Sequence, residues 1–244
     1  MTDTAIGLLI SSAPDWSVVT LVHISKFKVR AAPHRASGVR TRSFDLLVSE
    51  EDAEVVVREE AQARKLPAFC PERHINKDSS FCLGLDAGSE VTTLVAATYW
   101  WDKLKSFLVC QETAEETGFW PPYAQLSHGE AGEIEAKAEV VSRSINCLSE
   151  YREAVQHNSG FIAERLTKIN KATGRLYNGR APCLCGRKGQ RGQVVLRRIC
   201  HKLGCPVEFE FKRRLAVDRF WKSMAHKTCC GSMQNCPLER GEND

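Results

Sequence analysis

Seven of the chain's eleven cysteines fall in its last 62 residues: Cys183, Cys185, Cys200, Cys205, Cys229, Cys230 and Cys236. A segment that short buries too little apolar surface to hold a fold unaided, so it needs cross-links. The kind of cross-link follows from the compartment. The N-terminus has an acidic start and a very short apolar stretch, where a secretory signal would carry a basic start and a longer apolar core. The expectation is a cytoplasmic chain, whose clustered thiols read as metal ligands rather than disulfides. No apolar run approaches the ~20 residues that span a bilayer, which argues against a membrane partner. With 43% hydrophobic and 26% charged residues, the composition is that of a globular protein and excludes disorder.

The tail reads "APCLCGRKGQRGQVVLRRICHKLGC". Zinc favours four thiolate or imidazole ligands in tetrahedral array, and a Cys-x-Cys-Gly turn directs two thiolates at one ion. Cys183 and Cys185, followed by Gly186, supply that turn, and Cys200 with His201 can close the site. The layout resembles the SEC-C type of zinc motif, with a longer basic stretch between the two ligand pairs. Cys205, Cys229, Cys230 and Cys236 either replace Cys200 and His201 or build a second site. One or two structural zinc ions are therefore expected, in a docking module and not a catalytic one, because four protein ligands leave no position for substrate. The basic run over 175–227 reads as a solvated face. Nucleic acid is the less favoured partner it would suit.

Upstream, "WSVVTLVHISKFKVRAA" and "TRSFDLLVSE" predict a strand pair joined by a turn around 33–38. "SEEDAEVVVREEAQARK" predicts a helix over roughly 50–65, opened by acidic residues that suit the helix dipole. Leu94, Ala97, Trp101, Leu104 and Leu108 form the stripe of a long amphipathic helix that ends near Gly118. Ile134, Ala138, Val141, Ile145, Leu148 and Val155 mark a second long helix, and "FIAERLTKINKA" a short one. Gly174, Asn178 and Gly179 suggest a division into domains 1–175 and 176–244.

The stretch "PERHINKDSSFCLGL", residues 71–85, sets a dense polar run before Cys82. A reactive cysteine needs partial exposure and neighbours that stabilise developing charge, and one loop carries His74, Asn76, Asp78, Ser79 and Ser80. Flanked by Phe81 and Leu83, Cys82 can also be read as a small core residue. Cys70, Cys110 and Cys147, without such a loop, read as core. His128, beside Gly129, either faces Cys82 or lies on the surface next to the cap of the following helix.

The same stretch resembles the active-site segment of ubiquitin-conjugating enzymes: His-Pro-Asn-Ile, a polar turn, an aliphatic residue, the catalytic cysteine and leucine. Ile75 matches the isoleucine, Phe81 the residue before the nucleophile, Cys82 the nucleophile and Leu83 the leucine. His74 stands where the family has its asparagine, and Asn76 is a second candidate for that role. The Trp120–Pro121 pair lies farther past the cysteine than in the family. What the chain most resembles is the divergent bacterial branch, some members of which carry cysteine-rich extensions.

The resemblance implies an α+β fold, a ubiquitin-conjugating-like core of a small antiparallel sheet packed by helices, with a zinc-stabilised C-terminal module. It also implies a transferase that carries a ubiquitin-like protein as a thioester on Cys82. A cognate activating enzyme would charge it, an unidentified acceptor would receive the modifier, and the setting would be bacterial, with antiviral defence one such setting. His74 or Asn76 would donate to the oxyanion. Two rival expectations remain: a non-catalytic zinc-containing adaptor for protein or nucleic acid, and a Cys-His hydrolase acting on thioesters or isopeptides.

Overall fold

The computed structural model describes residues 4–125, 127–177, 191–193, 196, 204–234 and 236–238. The chain forms two compact units, Met1–Ala124 with Lys227–Asp244, and Gln125–His226. They part at 124/125 rather than at the expected 175/176, and the last stretch of chain belongs to the first unit.

The first unit is built on a four-stranded antiparallel meander, β1 (Ser17–His23), β2 (Lys26–Ala31), β3 (Phe44–Glu51) and β4 (Glu54–Glu59). Strict alternation in β2 turns Phe27, Val29 and Ala31 inward and leaves Lys26, Lys28 and Arg30 in solvent. Facing positions of β3 add Phe44, Leu46 and Val48. The first expected strand segment proves to be a hairpin, turning between His23 and Lys26, so three strands stand where a pair was expected.

The helix expected over 50–65 is corrected to a second hairpin. Asp52 and Ala53 both take left-handed backbone, φ 50° and 65°. That is the conformation of a two-residue turn whose twist matches the strands it joins. Val55, Val57 and Glu59 then alternate inward along β4. The acidic, alanine-containing composition favours a helix locally, but burial of alternate valines on a sheet outweighs that small propensity.

Two helices complete the core. α1 (Ala5–Ser11) is capped by Thr4, whose hydroxyl accepts from the Gly7 N–H at 3.1 Å, and it buries Ile6, Leu8 and Leu9. α2 (Leu94–Thr117) starts at Thr93, whose hydroxyl accepts from the Ala96 N–H, and stops at Gly118, φ 75°. Its expected stripe is buried from Ala97 through Trp101, Leu104 and Leu108, while Leu94 stays exposed. Trp101 ties the layers together. Its ring centroid lies 5.6 Å from Trp16 and 6.2 Å from Phe27, and its indole N–H donates to the Leu9 carbonyl at 3.0 Å. Trp16, Trp100, Trp101, Phe27 and Phe44 put large buried rings into this core.

The second unit contains α3 (Glu130–Ser144), α4 (Leu148–His157), α5 (Gly160–Glu164), a small ladder of β5 (Ile169–Asn170) with β6 (Arg175–Leu176), and α6 (Pro206–Met224). The single helix expected from Ile134 to Val155 is thus two. Asn146, φ 55°, breaks it, and the Cys147 N–H turns back to the Ser142 carbonyl at 2.9 Å. Tyr151, Ala154, Ile162 and Val207 centre its core. Glu210, fully buried, is paired with Arg213 and Arg214, both at 2.7 Å. Among the described residues no helix is long and apolar enough to cross a membrane.

Candidate active site

Residues 70–82 fold over one another around a short 3-10 turn, Pro71–Arg73, held by backbone pairing. The Cys70 N–H donates to the Ile75 carbonyl at 3.1 Å and the Ile75 N–H returns to the Cys70 carbonyl at 3.0 Å, enclosing a turn over Pro71–Arg73. His74 closes that turn in left-handed backbone, φ 54°. Its carbonyl then accepts the Cys82 N–H at 2.8 Å, and the Phe81 N–H donates to the Val57 carbonyl on β4 at 2.9 Å. Cys82 is therefore anchored to the turn, and Phe81 before it to the sheet.

Arg73 fastens the turn to α2. Its guanidinium, 2% exposed, donates from Nε to the Gln111 side-chain oxygen at 2.7 Å, and the Gln111 amide donates back to the Arg73 carbonyl at 2.7 Å. Each buried polar group of the pair thereby gains a partner, which removes the penalty of burying it alone.

The polar run is a connected network. Asp78 Oδ1 accepts from both the Ser80 hydroxyl, 2.7 Å, and the Ser80 N–H, 3.1 Å. The Asn76 Nδ2 donates to the Ser80 hydroxyl at 3.0 Å. Arg58 on β4 donates to Asp78 Oδ2 at 2.6 Å and to both oxygens of Glu51. Burial works to raise the Asp78 carboxyl, but hydrogen bonds from Ser80 and Arg58 outweigh it and hold it below the ordinary value. Arg58 likewise lowers Glu51. Both carboxylates stay ionised, so the loop keeps its acceptors at neutral pH.

Cys82 is half-buried and opens onto a cavity of about 210 Å³. Asn76, Ser80, Gly88 and Trp100 share its lining. Gly88 sits where a Cβ would lie 2.6 Å from the Val55 carbonyl oxygen, so the wall behind the cysteine admits no side chain there.

The two candidates for the oxyanion role lie apart. His74 is 2% exposed, and its ring centroid is 5.0 Å from that of Trp120. The Asn76 side chain is on the cavity with Cys82. His128 belongs to the second unit, where its ring stacks on Phe220 at 4.6 Å and meets Trp221 edge-on at 5.5 Å. Burial there pushes its pKa down to about 4.

Of the expected zinc ligands, Cys183, Cys185, Cys200 and His201 lie outside the described residues. Cys205 is buried at the start of α6, in the apolar core of the second unit. Cys230 has its sulfur 3.0 Å from that of Cys70. Burial and a hydrogen bond with Cys229 push Cys236 up to about 12. Among the described residues no three His, Cys, Asp or Glu side chains converge to hold a metal ion. Cys70, Cys110 and Cys147 are buried as expected. The contact of Cys70 with Cys230 carried no signal in the sequence, since 160 residues separate them.

A half-buried cysteine at the end of an anchored loop, in an α+β domain with a four-stranded meander, defines a conjugating-enzyme-like fold. Residues 20–122 match the prokaryotic E2 domain family, and residues 127–238 match the cysteine-rich domain found C-terminal to E2 domains. The chain is a prokaryotic E2-like protein with a cysteine-rich C-terminal extension. Neither a curated protein nor a solved structure matches it.

Proposed function

We propose that this protein accepts the C-terminus of a ubiquitin-like protein as a thioester on Cys82 and passes it to an amine acceptor. The observation that carries the reading is the meeting of Cys82 and Asn76 on one cavity, within a domain of the prokaryotic E2 family.

The Cys82 thiolate attacks the thioester carbonyl on the activating enzyme. The tetrahedral oxyanion collapses and expels the activating enzyme's thiolate. In the second step the acceptor amine attacks the Cys82 thioester, loses a proton to solvent or the acceptor's surroundings, and Cys82 leaves as thiolate. Asn76 has two amide hydrogens; the network occupies one at Ser80, which orients the group and leaves the second for the developing oxyanion. His74 contributes through its backbone carbonyl, which holds the Cys82 N–H.

The cysteine-rich domain supports metal binding, and the reading includes one or two structural zinc ions on its clustered cysteines and His201. The partners are a ubiquitin-like protein and its activating enzyme, in a bacterial conjugation system.

Incubation with activating enzyme, ATP and the ubiquitin-like protein tests the reading by intact mass. The expected product is a one-to-one adduct that thiol reductant reverses, and Cys82→Ser converts it to a reductant-stable ester or abolishes it. An adduct that persists unchanged in Cys82→Ala sinks the assignment.

A further inference from the structure

Cys70 and Cys230 bring two sulfurs within 3.0 Å across 160 residues of chain. Cys70 opens the turn that leads to Cys82 and is 1% exposed; Cys230 lies in the C-terminal segment and is half-buried. We propose that these two cysteines form a reversible disulfide that fastens the C-terminal segment to the turn preceding Cys82. This goes beyond the conjugating reading and does not depend on it.

Geometry favours the bond. A disulfide needs sulfurs about 2 Å apart, so closure asks for a shift of about 1 Å, within reach of side-chain rotation. The segment is already docked by other contacts, so the sulfurs are held together before any bond forms. The Gln234 N–H donates to the Gly118 carbonyl at 2.8 Å, Arg73 donates to the Ser232 hydroxyl at 3.4 Å, and Met233, Cys236 and Leu238 are buried. No third His, Cys, Asp or Glu among the described residues joins the pair to make a metal centre.

Exposure sets the order of steps. A low-molecular-weight disulfide such as oxidised glutathione reaches half-buried Cys230 first. The Cys230 thiolate attacks one glutathione sulfur and expels glutathione thiolate, leaving a mixed disulfide. Cys70 then loses its proton and attacks the Cys230 sulfur, and the second glutathione leaves. Two protein thiols and one oxidised glutathione thus give one protein disulfide and two reduced glutathiones. The link closes a long loop, which removes conformations from the unfolded chain and raises the melting temperature.

The full-length chain, equilibrated in buffers of graded reduced and oxidised glutathione, then acid-quenched, alkylated and peptide-mapped, tests this. Expected is a Cys70–Cys230 linked peptide that dithiothreitol reverses, with a Tm several degrees above the reduced form. Cys230→Ser removes both effects, and Cys147→Ser neither. Because Cys70→Ser alters a buried position, the half-buried Cys230 carries the test. Cys230 recovered with Cys229, with Cys236 or as a lasting glutathione adduct overturns the proposal. So does stoichiometric zinc in the isolated chain that Cys230→Ser releases, since that makes the pair ligands instead of a disulfide.

Discussion

The backbone N–H of Cys82 donates to the carbonyl of His74, 2.8 Å away, while the His74 ring packs on Trp120. The position that family resemblance offers for the oxyanion thus meets Cys82 through its main chain, and its side chain is buried. Asn76 presents its side chain where His74 does not. Substitutions at the two positions should separate. His74→Ala should cost about 1–3 kcal/mol by loss of a buried ring, read in denaturant unfolding, with the loss of activity tracking the loss of fold. Asn76→Ala should unfold within about 1 kcal/mol of the parent. Discharge of the preformed Cys82 thioester to an amine should nonetheless slow on the order of 100-fold, while charging is spared. Single-turnover discharge measures the difference, and equal effects on charging and discharge would assign Asn76 to loop structure alone.

Arg73 and Gln111 form a closed exchange, each donating to the other's residue at 2.7 Å. Gln111→Leu leaves the buried Arg73 Nε without its acceptor, while the guanidinium keeps the Gln111 carbonyl at 3.2 Å and Glu115 at 3.4 Å, and should cost about 1–3 kcal/mol. The double variant Arg73→Met with Gln111→Leu replaces both partners by apolar groups and should recover much of that loss. A double-mutant cycle in urea reads the coupling. Additive losses would show that the pair does not act as a unit.

Gly88 admits no side chain beside Val55, because a Cβ would sit 2.6 Å from a backbone oxygen. Gly88→Ala should push back the wall of the Cys82 cavity, at a cost of about 1–3 kcal/mol. A lowered Tm together with slower thioester formation on Cys82 is expected. An unchanged Tm would mean that β4 yields freely at Val55.

His128, pushed down to about 4 by burial, binds fewer protons folded than unfolded between there and the ordinary histidine value near 6.5. Stability of the second unit should therefore fall as pH drops through that window, by at most about 3 kcal/mol. Burial raises Glu135 in the same unit, and its contribution runs oppositely, present at low pH and lost as pH rises. His128→Leu should flatten the histidine part of the slope. Thermal melts of the full chain between pH 4 and 7 measure it, and a slope unchanged by that substitution would reassign the titration.

Much of this protein is legible locally. The apolar stripe from Ala97 to Leu108 and the Gly118 stop are short-range preferences, and they fold as written. The alternation of β2 is equally local. The β3–β4 hairpin is not, because Asp52 and Ala53 lack the glycine that marks such turns and their neighbours favour helix. Only the gain from burying Val55 and Val57 selects the strand. The break at Asn146 was hidden by an apolar period that continues across it.

By itself, then, the sequence determined a polar loop delivering a cysteine and a cysteine-rich region after it, because spacing and composition act over a few residues, while the α+β class came from the family resemblance of that loop. Tertiary structure decided that the His74 ring is buried against Trp120 while Asn76 lines the cavity onto which Cys82 opens. It also decided that Cys70 meets Cys230. Contacts between distant segments depend on how whole elements pack, and no local pattern encodes them.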